Sequence, residues 1–172
     1  MLRCLRVTIV LASGYVLASC AEHQSGAHPS TVSKSHRMQK VRTTAYSRGE
    51  DGGRRNAIGA SLSGTKVMSA AADWSRFPLG TRFQLVDNKE EYVIDDYGTA
   101  LVGTNTIDLY KRNRLEMKRW GVRHVDIDIL EWGSEQKSLK VLAPRAKHPT
   151  VKRMIVALQK KASLHYPSGA LD

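Results

Sequence analysis

Cysteine is scarce in this chain, with only Cys4 and Cys20 among 172 residues. Two cysteines cannot build a disulfide framework or a cysteine-based zinc module. Long apolar runs are missing as well. The best, Val7–Leu17, covers 11 residues and is broken by Thr8, Ser13 and Gly14. A membrane-spanning helix needs about 20. The sequence has no G-x-S-x-G elbow, H-E-x-x-H pair, P-loop or G-x-G-x-x-G, and no internal repeat. That removes the signatures of serine hydrolases, zinc peptidases and the common nucleotide-binding folds. Hydrophobic residues at 41% and charged residues at 25% are globular proportions. They exclude a wholly disordered, collagen-like or polytopic membrane chain. The length suits one domain with extensions.

What is present in excess is positive charge, +11 overall. Its position matters more than its size. Val41–Gly133 holds 14 basic and 13 acidic residues, whereas Ser134–Asp172 holds 8 basic and 2 acidic. A nucleic-acid reader more often gathers its basic residues on the folded core. A basic tail suits any anionic polymer or a membrane surface.

The N-terminus reads as an address. Arg3 and Arg6 precede the short apolar run, as in a secretory signal. Leu17-Ala18-Ser19-Cys20 resembles a bacterial lipobox, which implies cleavage before Cys20 and lipidation of its thiol. Residues 1–19 are then a signal peptide, and the mature chain keeps no free thiol, as suits an oxidising compartment. By resemblance to Gram-negative lipoproteins, Ala21 in place of Asp implies sorting to the outer membrane, facing the periplasm. The chain would be anchored to a membrane and not span it. Export also makes nucleic acid an unsuitable partner.

Residues 20–40 are rich in Ser, His, Lys and Gln and read as a flexible tether. His23, His28 and His36 fall there as solvated residues. The fold signals lie in 41–133. Val41–Tyr46, Val67–Asp73, Thr81–Val86, Glu91–Asp95, Thr106–Tyr110 and His124–Leu130 are strand candidates. Phe77-Pro78-Leu79-Gly80 marks a turn, and Asp87–Glu90 splits a hairpin. Lys111–Trp120 is a short helix candidate. Six short strands and one helix predict a small, mainly β barrel. In the basic extension, 134–172, Val151, Met154, Ile155 and Leu158 follow helical spacing. That helix either packs on the barrel or meets a membrane or wall surface.

The chemistry must come from carboxylates beside glycines. Asp73 follows Ala70-Ala71-Ala72, Asp95 and Asp96 end a strand before Gly98, and Asp108 stands between Ile107 and Leu109. On a strand, Asp108 projects opposite its two apolar neighbours, to solvent or to a cleft. Gly98 and Gly103 permit tight looping or close approach of a ligand. No set of metal ligands stands out. Asp126 and Asp128 read as a solvated strand face, and His124 as a surface residue.

Several short motifs then occur in order: Thr44-Ala45-Tyr46, Ser69–Asp73, Pro78–Thr81, Asp96–Gly103, Ile107-Asp108-Leu109 and Trp120–Val125. Together they resemble the three-aspartate (3D) domain, a double-psi β-barrel found as the catalytic part of membrane-bound lytic transglycosylase A. The resemblance covers about residues 41–132. Thr99 stands where the family pattern has a second glycine, and the Asp96–Asp108 interval is one residue longer. The second domain of the transglycosylase has no counterpart here.

The resemblance implies cleavage of the MurNAc–GlcNAc bond of peptidoglycan glycan strands. Asp108 would be the single acid and base, forming a 1,6-anhydro product with no cofactor and no metal. Asp96 would support it electrostatically, with Asp95 as its rival for that role, and Asp73 would hold the hydrogen-bond network. The apolar flanks of Asp108 would help desolvate it. Tyr46 would stack on a sugar, support Asp108, or simply fill the core. Three alternatives stay open: a non-catalytic wall-binding module of the expansin type, a structural tether acting through the basic tail, and an enzyme for glycans stripped of peptides.

Overall fold

The computed structural model describes residues 36–48 and 54–165. The expected signal peptide, the lipidation site Cys20 and the tether up to residue 35 lie outside the described residues.

All six expected strands form. They are β1 (His36–Ser47), β2 (Val67–Ala71), β3 (Arg82–Leu85), β4 (Glu91–Asp96), β5 (Ile107–Lys111) and β6 (Arg123–Glu131). They close into a barrel in the order β1-β5-β2-β4-β3-β6. The β1/β5 and β2/β4 pairs are parallel and the other four are antiparallel. Alternation explains the barrel. Phe83, Leu85, Tyr92, Ile94, Ile107, Leu109, Ile127 and Ile129 are buried on their strands and share one core with Ala70. The intervening residues face outward.

The barrel begins earlier than the composition suggests. Residues 36–40 belong to β1 and not to the tether, because His36, Arg37 and Met38 pair with Ile129, Asp128 and Ile127 of β6. Arg37 forms a two-pronged ion pair with Asp128, and the Lys40 N–H donates to Asp126 Oδ1 at 2.9 Å. Lys40 adopts a φ of 53° at the bulge between Met38 and Val41. Polar residues here are the wet face of a paired strand, which composition alone cannot tell from a spacer.

The turn at Pro78–Thr81 closes through Thr81 N–H to Pro78 O, with Gly80 at φ 92°. That is the left-handed position a type II turn requires. The short helix, α1 (Arg114–Trp120), starts three residues later than expected. Lys111 instead ends β5, and the Asn113 side chain caps the helix by accepting from Glu116 N–H.

The C-terminal extension contains two helices, α2 (Glu135–Leu142) and α3 (Pro149–His165); α2 carries no clear sequence signal. Leu142, Val151, Met154 and Leu158 are buried in the same core as Trp74 and Phe77. The amphipathic face of α3 therefore packs on the barrel, and Lys152, Arg153 and Lys160 remain exposed. The junction is tight. A side chain at Gly133 would overlap the carbonyl oxygens of Pro78 and Leu79 and the amide of Thr81.

Candidate active site

Strand register assembles the site. Thr44 of β1 lies opposite Asp108 of β5, Asp108 opposite Ala71 of β2, and Ala71 opposite Asp96 of β4. The four residues form one row across the outer face of the barrel. Laterally paired residues share a face, so Asp108 and Asp96 project the same way, with the small Ala71 between them. Two strand spacings separate their backbones, about 10 Å.

Asp108 alternates as its neighbours require. Ile107 and Leu109 are fully buried in the barrel interior, and Asp108 is half-buried outside. This corrects the expected source of desolvation: the apolar flanks face away from the carboxyl. One partner comes from β1. The Thr44 hydroxyl donates to Asp108 Oδ1 at 2.6 Å.

Tyr46 lies two residues along β1 on the same face. Its ring meets Tyr110 edge-on at 5.5 Å. Its hydroxyl is buried and has no hydrogen-bond partner among the described residues. Burial, and then the negative charges of Asp96, Asp95 and Asp108, push its pKa strongly upward. Tyr46 therefore stays a neutral donor, and its hydroxyl senses all three carboxylates at once.

Asp95 and Asp96 are separated by a bulge. Ala70 pairs with Ile94, but Ala71 pairs with Asp96, so Asp95 is the extra residue. The bulge turns the two carboxyls to different tasks. Asp95 is buried and accepts from Asn56 Nδ2 at 2.8 Å and Ser69 Oγ at 2.7 Å on one oxygen. Burial raises its pKa. Asp96 accepts from the Tyr97 N–H at 2.9 Å and is pushed up to about 6, chiefly by burial, although hydrogen bonds from the Tyr97 and Ala57 backbones oppose the rise. Asp95 adds to the upward push and Arg145 opposes it.

Asp73 is not part of the row. It is 2% exposed and accepts from the Ser75 N–H and hydroxyl and from the Gly103 N–H at 2.6 Å. It thus pins the loop between β4 and β5. Gly103 sits at φ 89°, which a side chain would strain. Gly98 is extended, and a side chain there would press on Leu101 at 3.2 Å. Both glycines shape the loop that separates Asp96 from Asp108.

Three contributors escape a reading of the sequence. Asn56 bonds Asp95 and also accepts from the Ile58 and Ala60 N–H groups, folding its own loop against β4. Thr44 sits in the Thr-Ala-Tyr motif, but nothing local marks it as the partner of Asp108. Arg145 arrives from the C-terminal extension. It donates to Ala57 O at 2.7 Å and lies 5.9 Å from the Tyr97 ring centre. His124 is exposed on β6, and Asp126 and Asp128 serve the β1 bulge described above.

Two cavities are lined by neighbours of the site residues. One, of about 480 Å³, is lined by Tyr110, Arg48, Arg112 and residues 61–65. The other, of about 500 Å³, includes Asn56, Asp95 and Trp132. Neither of these two is lined by Asp96 or Asp108. No protein-family model matches this chain, and no curated protein matches it.

Proposed function

We propose that the protein cleaves the glycan strands of peptidoglycan as a lytic transglycosylase. On this reading the barrel is of the double-psi type, and the chain is lipid-anchored at Cys20 to the outer membrane, facing the periplasm. The observation that carries it is the row Thr44–Asp108–Ala71–Asp96, with the Tyr46 hydroxyl facing its carboxylates.

Breaking a glycosidic bond requires a proton on a poor leaving group, and a positioned carboxylic acid supplies it. Asp108 gives its proton to the oxygen joining the muramic acid and glucosamine units. Positive charge then spreads over the sugar ring carbon and its ring oxygen. Asp96, on the same face, is mostly ionised at pH 7 with a pKa of about 6, and its charge stabilises that cation. The Asp108 carboxylate next takes the proton of the C6 hydroxyl of the same muramic acid. That oxygen closes onto the ring carbon and gives the 1,6-anhydro product. The nucleophile is already attached, so little entropy is lost in bringing it to the reacting carbon. Tyr46 keeps its proton, and its neutral hydroxyl lies within the field of the three carboxylates.

The test is digestion of purified sacculi by the soluble chain from Ala21 onward, beside Asp108→Asn. Mass spectrometry should find anhydromuropeptides with the parent chain only, and the substitution should cost about 10²–10⁴ in rate. Products that have gained water would make it a hydrolase with Asp96 as the second acid. Sacculi bound equally by both proteins with no product would leave a non-catalytic binding module.

A further inference from the structure

Strands β1 and β5 run parallel and in register, Thr44 opposite Asp108 and Tyr46 opposite Tyr110. Alternation puts the next outward pair at Arg48 and Arg112. The outer face therefore steps from a carboxylate, to two tyrosine rings, to two guanidinium groups. Four residues of strand separate Asp108 from Arg112, about 13 Å.

The arginine end opens on the cavity of about 480 Å³ lined by Arg48, Arg112, Tyr110, Ser61, Ser63 and Gly64. Neither arginine has an ion pair among the described residues. Arg112 is oriented by one bond, from its Nε to Gly64 O at 2.5 Å, which leaves the terminal nitrogens of its fork uncommitted. Gly64 makes room for this. A side chain there would meet Arg112 Cγ at 2.8 Å and the Tyr110 ring at 3.3 Å. Two like charges thus line one cavity with no ion-pair partner among the described residues, an arrangement that an anion would relieve. A guanidinium fork matches a planar carboxylate in both shape and charge.

We propose that Arg48 and Arg112 form a subsite for a carboxylate carried by the glycan, a few sugar units along from the bond that is cut. This rests on the glycan reading above and deepens it. The same chemistry has two sources on such a polymer: the lactyl carboxylate of a muramic acid stripped of its peptide, or a carboxylate of the peptide stem. In either case the subsite sets register. It would hold the strand so that a chosen linkage lies over Asp108.

The test is the affinity of the full chain in detergent for four hexasaccharides, measured by calorimetry. They are a neutral N-acetylglucosamine-only chain, an alternating N-acetylglucosamine–N-acetylmuramic acid chain, its methyl ester, and the same chain bearing peptide stems. At least one carboxylate-bearing form should bind roughly tenfold tighter than the ester. Added salt should erode that preference. Arg48→Gln should remove most of the preference and the double Arg48→Gln/Arg112→Gln change all of it, with ester binding unchanged. Asp108→Asn should keep it. A preference for the bare chain assigns the lactyl group, and a preference for the stem-bearing chain assigns the peptide; either supports the subsite. Equal binding of acid and ester by the unsubstituted protein overturns it without reference to any variant. So does a preference that survives the double change. If none of the four binds, the glycan reading itself falls and takes the subsite with it.

Discussion

An Asp96→Asn substitution removes a carboxyl that the fold holds at a cost, so it should stabilise the protein while slowing it. The cost can be worked from the structure. Burial pushes the Asp96 pKa from 3.8 up to about 6. At about 1.4 kcal/mol per pH unit, that gap is worth roughly 3 kcal/mol. Asp96 is only part-buried, and solvent screening reduces the figure to about 1–2 kcal/mol. The sign follows from proton counts. Below 3.8 both folded and unfolded chains carry the proton, and the charge costs nothing. Between 3.8 and about 6 the unfolded chain has released its proton while the folded one keeps it, so stability falls as pH rises. Above about 6 the whole penalty is in place. Asparagine keeps one acceptor oxygen, so at least one of the two backbone hydrogen bonds, from Tyr97 or Ala57, is retained. Asp95, the other raised carboxyl, is present in both proteins and largely cancels in the comparison. Thermal unfolding of the two proteins should therefore converge near pH 4. At pH 7.5 the Asn protein should melt higher by about 4–8 °C, taking about 4 °C per kcal/mol for a domain of this size. A constant difference across pH, or a less stable Asn protein at pH 7.5, would refute the burial argument.

Three further outcomes test the same geometry. Thr44→Val removes the hydroxyl that holds Asp108 and should slow sacculus digestion by about tenfold, at a cost of about 1 kcal/mol in stability. Arg145→Gln removes the positive charge that opposes protonation of Asp96, so the Asp96 titration, followed by carboxyl carbon NMR, should move above its value of about 6. An unmoved titration would mean that Arg145 acts only through its bond to Ala57. Leu158→Ala opens a cavity in the shared core and should cost about 2–5 kcal/mol in urea unfolding. For the same reason, deleting everything from Ser134 should unfold the barrel, and a loss under 1 kcal/mol for Leu158→Ala would show α3 to be separable.

The strands were legible because their cause is local. Alternation along Thr81–Val86, Glu91–Asp95 and His124–Leu130 is the imprint of a wall with one dry face, and Gly80 announces its own turn through the φ it permits. Asp108 was legible in the same way, since buried Ile107 and Leu109 force it to the opposite face. What no window of sequence contains is lateral register. Whether Asp108 meets Thr44, and whether Asp96 or Asp95 faces Asp108, depends on which strands lie side by side and on one bulge in β4. The polar stretch 36–40 looked like spacer until β6 supplied Asp126 and Asp128 as partners. Helical spacing in the basic extension allows packing on the barrel or contact with an outside surface; in the fold its apolar residues complete the core, and its Arg145 acts on Asp96 across almost 50 positions of chain. Periodicity and turn chemistry act between near neighbours, so the strands and their faces can be read along the chain. Charge and burial at a site depend on groups brought together from distant positions, so they emerge once the barrel has closed.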